Sequence, residues 1–148
     1  MEKVLFLISS IKDDGPNRVL ENMIYGLDKE KYQIYVLSFL NSNKKENIDK
    51  LKKYGSEVLC LNFRKKSDII LKGKKELSRV IHNINPDVVH SHGVLPDIVN
   101  ARVKSKKKIT TLHNNMYEDY IYAFGKINGY LIILWHLYYL KKFNCCVC

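Results

Sequence analysis

The sequence predicts an α/β fold, a Rossmann-like parallel sheet with helices on both faces, built as a single domain. Three observations carry this reading. The apolar periodicity switches repeatedly between a strand-like and a helix-like pattern, as alternating β and α elements around a parallel sheet require. The first strand-like run, Val4 to Ile8, is continuously apolar and short, the mark of a strand covered on both faces. With 148 residues, 46% of them hydrophobic, the chain is long enough to bury one core and too apolar to be disordered.

Taken in order, Lys3 to Ser9 reads as the first strand, and Asp13-Asp14-Gly15-Pro16 breaks it. Pro16 suits the first turn of a helix, and Leu20, Met23, Ile24 and Leu27 follow on one stripe. Tyr32 to Phe39, β-branched and aromatic, is the second strand. A lysine-rich helix over Lys44 to Tyr54 leads through Gly55 to a third strand, Glu57 to Leu61. The spacing then predicts a long helix from Asp68 to Ile84, with Ile70, Leu77, Val80, Ile81 and Ile84 on one face, although Gly73 weakens its first turns. Asn85-Pro86 ends it. Asp87 to Ser91 is a fourth strand, Leu95 to Lys104 a fourth helix and Lys108 to His113 a fifth strand. A polar, aromatic stretch precedes a helix over Ile127 to Lys142, and Phe143 to Cys148 begins another β-type run. The chain stops inside that run, so the expectation is a truncated domain, 1–148, from a larger protein.

Composition narrows the function. Seven Gly and three Pro exclude collagen-like and low-complexity classes. The longest apolar stretch, Tyr130 to Leu140, is eleven residues interrupted by His136, short of the roughly 20 that a bilayer-spanning helix needs. Its simplest placement is burial in its own domain, with interfacial insertion or a partner contact as alternatives. Val4 to Ile8 is too short for a signal peptide core, so the expected location is cytoplasmic. Of four cysteines, three crowd the last four positions and Cys60 stands alone. That is neither a disulfide framework nor paired zinc ligands, and reduced, buried thiols are expected.

The net charge of +10 belongs to the middle of the chain: the segment Lys44 to Lys108 carries +10, against −1 before it and +1 after it. Lysine supplies 21 of the 25 basic residues, whereas forked recognition of bases and phosphates favours Arg, so no nucleic acid partner is expected. A solvated surface is the plain reading of these lysines and attraction to anionic lipid head groups its competitor.

In a doubly wound sheet of order 3-2-1-4-5-6, ligands bind beyond the carboxyl ends of neighbouring first and fourth strands. Three polar segments lie at such ends here: Ser9 to Gly15, His90-Ser91-His92-Gly93 and Thr111-Leu112-His113-Asn114. Gly15 either permits a tight turn or lets a backbone N–H approach a phosphate or sugar at the start of the Pro16 helix. No Gly-x-Gly-x-x-Gly follows the first strand, which disfavours a nicotinamide enzyme. Strand alternation puts Val88, His90 and His92 on one face, with His90 as a hydrogen-bonded core residue and His92 at the rim as the better ligand contact. A metal held by His90, His92 and His113 lacks a carboxylate or fourth ligand, so neither metal nor other cofactor is expected.

These residues carry a resemblance. Asp13 to Met23 resembles the glycine-rich loop and first helix of family 4 glycosyltransferases. Asn85 to Gly93 is similar to their fourth-strand motif, Ile109 to Asn114 to their fifth-strand motif ending in histidine, and Lys141 to Cys148 to the strand after their membrane-proximal helix. The similarity covers almost the whole chain, with the motifs in the family's order. It implies a GT-B enzyme of two Rossmann-like domains, the N-terminal one carrying most of the acceptor site and the C-terminal one binding the nucleotide sugar. Transfer retains configuration and needs no metal. By position, His92 and His113 would be the catalytic residues flanking the acceptor and the transferred sugar, and Gly15 would line the loop near the donor phosphate. Asp14, Asn17, Arg18, Ser91, Gly93 and Asn114 would complete the donor and acceptor contacts. The surface of Tyr130 to Tyr139 would face the membrane, placing the protein peripherally on the inner face of the plasma membrane, where lipid-linked acceptors reside.

Two departures from the family pattern matter. Asp14 stands where the family usually has its first glycine, which adds a negative charge near the expected phosphate. The paired-glutamate motif and the whole C-terminal donor-binding domain are absent from the 148 residues, so the chain alone is expected to have no transferase activity. Three functions follow. The first is the acceptor-side half of a retaining glycosyltransferase in capsule, lipopolysaccharide or similar glycan synthesis, completed by a C-terminal half in cis or in trans. The second is a non-catalytic module that binds an anionic membrane or a partner. The third is a different α/β enzyme using His92 and His113 as acid and base.

Overall fold

The computed structural model describes residues 1–113 and 115–148. Its elements are β1 (Glu2–Ile8), α1 (Gly15–Gly26), β2 (Tyr32–Leu40), α2 (Lys45–Lys53), β3 (Ser56–Phe63), α3 (Lys66–Ile84), β4 (Val88–His92), α4 (Val94–Ala101), β5 (Lys108–Thr111), α5 (Met116–Phe124), α6 (Lys126–Leu140) and β6 (Cys145–Val147). The strands form one sheet of order β3-β2-β1-β4-β5-β6 in which every pair is parallel. This is the α/β, Rossmann-like arrangement that the alternating periodicity predicts.

Alternation along the buried strands divides the core in two. Leu5 and Leu7 of β1 and Leu37 of β2 pack with Ile69 and Leu77 of α3 and Val99 of α4. Val4, Phe6 and Ile8 face the other way, against Leu20 and Ile24 of α1 and Leu51 of α2. In α3 the inward stripe runs through Ile69, Gly73 and Leu77, four residues apart, so Ile69 and not Ile70 faces the core. Gly73 belongs to that stripe. A Cβ there would lie 2.9 Å from Val99 Cγ2, so the glycine lets α3 and α4 approach closely and is not a weak point of the helix.

Beyond β5 the structure departs from the sequence reading. The polar, aromatic stretch is a helix, α5, capped by the Asn115 side chain, which accepts from the Tyr117 N–H at 3.1 Å. It forms a hairpin with α6, and the two backbones meet at Gly129. A Cβ on Gly129 would fall 2.7 Å from the Tyr120 carbonyl oxygen and 2.8 Å from Ile121 Cα, both backbone atoms that cannot rotate away. Gly129→Ala is therefore expected to pry the hairpin apart at a cost of roughly 1–3 kcal/mol. Amide exchange checks it: protection in α5 and α6 should fall while the strands keep theirs, and unchanged protection would contradict the contact.

The expectation that Tyr130 to Leu140 is buried in its own domain is corrected. Of the α6 residues only Gly129 and His136 are buried, while Ile127, Leu131, Leu134 and Tyr138, spaced as one helical stripe, are exposed. Polarity runs opposite to the usual amphipathic rule, with the histidine inward and the leucines outward. The expectation of buried thiols is corrected as well: Cys145, Cys146 and Cys148 are exposed on β6 and beyond it, and Cys60 is half-buried. No helix among the described residues is long and apolar enough to cross a membrane.

Candidate functional site

Register places the three polar segments together. Ile8 at the end of β1 pairs with His92 at the end of β4, and His92 pairs with Thr111 at the end of β5. The loop from Ser9 to Asp14, the β4 terminus and His113 therefore border one crevice beyond the carboxyl ends of the strands, at the point where the strand order reverses.

Three imidazoles stack there. The rings of His90 and His92 lie 4.5 Å apart at 29°, and those of His92 and His113 lie 5.1 Å apart at 26°. Phe6 of β1 packs against His90 and His92 from below. His90 behaves as expected, a buried residue whose Nε2 bonds Thr111 Oγ1 at 2.8 Å. His92 does not sit at the rim: it is only 2% exposed, because the rings of His90 and His113 close over it. Its Nδ1 bonds His113 Nε2 at 2.9 Å, and its buried Nε2 has no partner among the described residues. His90 bonds Thr111, and His92 and His113 bond each other, so the three rings do not converge on a single point.

Burial, reinforced by the neighbouring imidazoles, pushes His90 down to about 4 and His92 down to about 2. Burial lowers His113 too, against the partial pull of the Asp97 and Asp14 carboxylates. The cluster is therefore neutral at neutral pH. In a neutral His92–His113 pair one ring donates to the other, so His92 Nε2 is either a free donor or a free acceptor, depending on the tautomer. The structure thus holds a hydrogen-bonded imidazole pair next to the crevice, in which His113 is the partly exposed ring and His92 Nε2 is closed off from solvent.

Across the crevice, Asp14 caps α1. Its carboxylate accepts from the Asn17 N–H at 3.1 Å and from Asn17 Nδ2 at 2.6 Å. Gly15 has ordinary helical backbone, and a Cβ on it would meet nothing within 4 Å. A tight turn therefore does not explain this glycine, and the space beside it is open. Asn17 also donates to the Ser10 carbonyl at 3.2 Å, which fixes the loop onto the helix. Gly93, at φ +93°, turns the chain from β4 into α4 in a conformation that favours glycine.

Two expected site residues are elsewhere. Ser91 is fully buried on the opposite face of the sheet from His90 and His92, because alternate residues of a strand point to opposite sides. Arg18 points away, bonding Asp13 at 3.1 Å, and lines a separate polar cavity of about 410 Å³ with Lys12, Glu21, Asn22, Asn47 and Lys50. Asn114 lies outside the described residues.

Sequence reasoning missed a buried polar node behind the crevice. Asp97 of α4, 0% exposed, accepts from the Ser91 hydroxyl at 2.6 Å and the Thr110 hydroxyl at 2.7 Å through Oδ1. Its Oδ2 faces His136 Nε2 at 2.8 Å, and His136 Nδ1 meets the Tyr120 hydroxyl at 3.0 Å. The signal was present: one acid in a helix otherwise apolar apart from Asn100, and one histidine in an apolar run, each needing a partner.

Comparison with known proteins places the chain in a family. Residues 14–148 match Glycosyltransferase Family 4. Two curated relatives, both O-antigen biosynthesis glycosyltransferase WclY of Escherichia coli, are each 30% identical, over 142 and 134 residues, covering 91% and 86% of this chain. The chain spans 34% and 33% of their lengths, about a third of each. With the family match running from the α1 cap to the last strand, the chain belongs to glycosyltransferase family 4.

Proposed function

We propose that this chain is the acceptor-side part of a retaining glycosyltransferase that moves a sugar from a nucleotide sugar to a glycan or lipid-linked acceptor in surface polysaccharide synthesis. The observation that carries the reading is the neutral, hydrogen-bonded His92–His113 pair at the carboxyl ends of β4 and β5, beside the crevice that the Ser9 to Asp14 loop borders. An acceptor hydroxyl is an uncharged nucleophile that must be held at a fixed angle, and a desolvated neutral imidazole does this without competing charge. No metal or other cofactor enters this role.

The donor phosphates find less here. The α1 N-terminus already holds the Asp14 carboxylate, and Arg18 is paired with Asp13. Groups that neutralise a departing nucleoside diphosphate must come from a C-terminal half, in cis or in trans. The 148-residue chain alone is accordingly expected to turn over no nucleotide sugar, and measurable turnover by the purified chain would sink this division of labour. Acceptor recognition is tested by titrating the chain with a panel of methyl hexopyranosides while following the His92 and His113 imidazole nitrogens by NMR. At least one glycoside should shift both, and His113→Ala should abolish its binding; a panel that perturbs neither histidine overturns the reading.

A second reading, a membrane-binding module, is favoured by the exposed stripe of α6. Ile127, Leu131, Leu134 and Tyr138 face outward, Lys126 stands at one end of the helix, and Lys142 lies over the Tyr138 and Tyr139 rings at the other. Such a face fits the interface of an anionic bilayer at the cytoplasmic side. Leu134→Glu is expected to lower partitioning onto phosphatidylglycerol vesicles about tenfold or more, since it removes roughly 1.5–3 kcal/mol of apolar burial and adds a repelled charge. No partitioning, or partitioning that Leu134→Glu leaves unchanged, would count against the membrane.

A further inference from the structure

We propose that Asp97 is a positioning residue for the His92–His113 pair, and that through His136 and Tyr120 it makes the geometry of that pair depend on how the α5–α6 hairpin is docked. The inference rests on the reading that the pair meets the acceptor, but it concerns the pair's arrangement and not its ligand.

One carboxylate oxygen ties the two strands that carry the histidines. Oδ1 of Asp97 accepts from Ser91, which sits between His90 and His92 on β4, and from Thr110, next to the Thr111 that bonds His90. Asn100 of α4 adds bonds to the Ser91 hydroxyl at 3.2 Å and to the Val89 carbonyl at 3.3 Å. The lateral spacing of the β4 and β5 ends, and with it the 2.9 Å contact between His92 and His113, is thus set from the rear of the sheet.

The other oxygen ties that spacing to the hairpin. Oδ2 faces His136 Nε2, and His136, 1% exposed, is with Gly129 the whole of what α6 buries. Since Gly129 meets the α5 backbone, His136 is the buried side chain by which α6 grips the rest of the domain. In the neutral tautomer that bonds both partners, Nε2–H of His136 donates to the carboxylate and Nδ1 accepts from the Tyr120 hydroxyl of α5. Burial, with the Asp97 and Asp119 carboxylates, raises the Tyr120 hydroxyl well above its ordinary value, which keeps it a donor. Four elements, β4, β5, α5 and α6, therefore converge on one residue of α4.

The test compares long-range proton–nitrogen spectra of the His92 and His113 imidazoles in the 148-residue chain with those of His136→Leu, His136→Gln and Tyr120→Phe, each with a thermal melt. His136→Leu removes the donor to Oδ2 and should move both site imidazoles by more than a linewidth. His136→Gln, whose amide N–H reaches the same oxygen, should restore them, and Tyr120→Phe should give a smaller shift in the same direction. A node that only stabilises the fold would lower the melting temperature and leave these signals in place, so a folded His136→Leu chain with unmoved site imidazoles overturns the proposal. If His136→Leu does not fold, Tyr120→Phe decides, and unmoved signals there overturn it equally. No glycoside is added, so failure here leaves acceptor binding standing, and a silent glycoside panel leaves this coupling standing.

Discussion

Acidification from pH 7 to pH 4.5 is expected to remove on the order of 5 kcal/mol of stability, about 2–3 kcal/mol from each of His90 and His92. Both histidines are held below their ordinary value, His90 to about 4 by burial and His113, and His92 to about 2 by burial, His90 and His113. The unfolded chain takes up these protons near pH 6.5 while the folded chain refuses them, so the unfolded state binds more protons throughout the window and stability falls as pH falls. Their full contribution is present above pH 6.5. The carboxylates of Asp28, Asp68 and Asp87 are held low by bonds to nearby lysines or backbone N–H groups, which moves their titration to the acid side of the ordinary carboxylate range. Urea unfolding at half-unit steps of pH measures the effect. A loss of this size is comparable to the whole stability of many domains, so an acid midpoint near pH 5 is expected.

The same titration separates the cluster from the rest of the molecule. His92→Asn keeps a polar atom near the position of Nδ1 for the bond to His113 but cannot be protonated, and it should flatten roughly half of the slope between pH 6.5 and 4.5. A chain whose stability is level across that interval would show that the imidazoles are hydrated and charged, and the neutral-pair chemistry assigned to the crevice would go with them.

How much of this was legible in the sequence depended on the range of the interactions involved. β1, α1 and β2 follow from short-range periodicity, and their apolar stripes are the buried ones, Leu20 and Ile24 among them. Convergence of the Gly15 loop with His92 and His113 followed from strand order, a property of the fold class and not of any one segment. Ser91 was drawn into the crevice by its place in a motif, against the alternation that already put His90 and His92 together on the other face. The α5 helix buries none of its residues, so it writes no apolar stripe, and only its cap signals, Asn115 before it and Gly125 after it, marked its ends. The depth of His92 was invisible because it depends on the His113 ring, 21 residues away, closing over it. The least legible contact, Asp97 with His136, joins residues 39 apart along the chain. No local rule pairs them, though each alone breaks the pattern of its helix.

That contact carries the second large effect. Asp97→Ala is expected to cost about 3–5 kcal/mol, because it leaves the Ser91 and Thr110 hydroxyls and His136 Nε2 aimed at a void from which water is excluded. Asp97→Asn should cost far less, about 1–2 kcal/mol. The amide oxygen still accepts from both hydroxyls, and the amide nitrogen is satisfied once His136 takes its other tautomer and donates from Nδ1 to the Tyr120 oxygen. The ordering is the diagnostic, since Ala and Asn both delete the charge and only Ala deletes the acceptor; equal costs would mean that charge, not hydrogen bonding, holds the node. A double-mutant cycle with His136→Leu sharpens the point. The leucine should be strongly destabilising with Asp97 present, where it strands a buried carboxylate oxygen, and milder in the Asp97→Ala background, giving a coupling of about 1–3 kcal/mol. Replacing buried polar partners together often leaves stability little changed. A double variant that is stable but has disordered site imidazoles would therefore show that the node is kept for the placement it imposes on β4 and β5, with its net energy secondary.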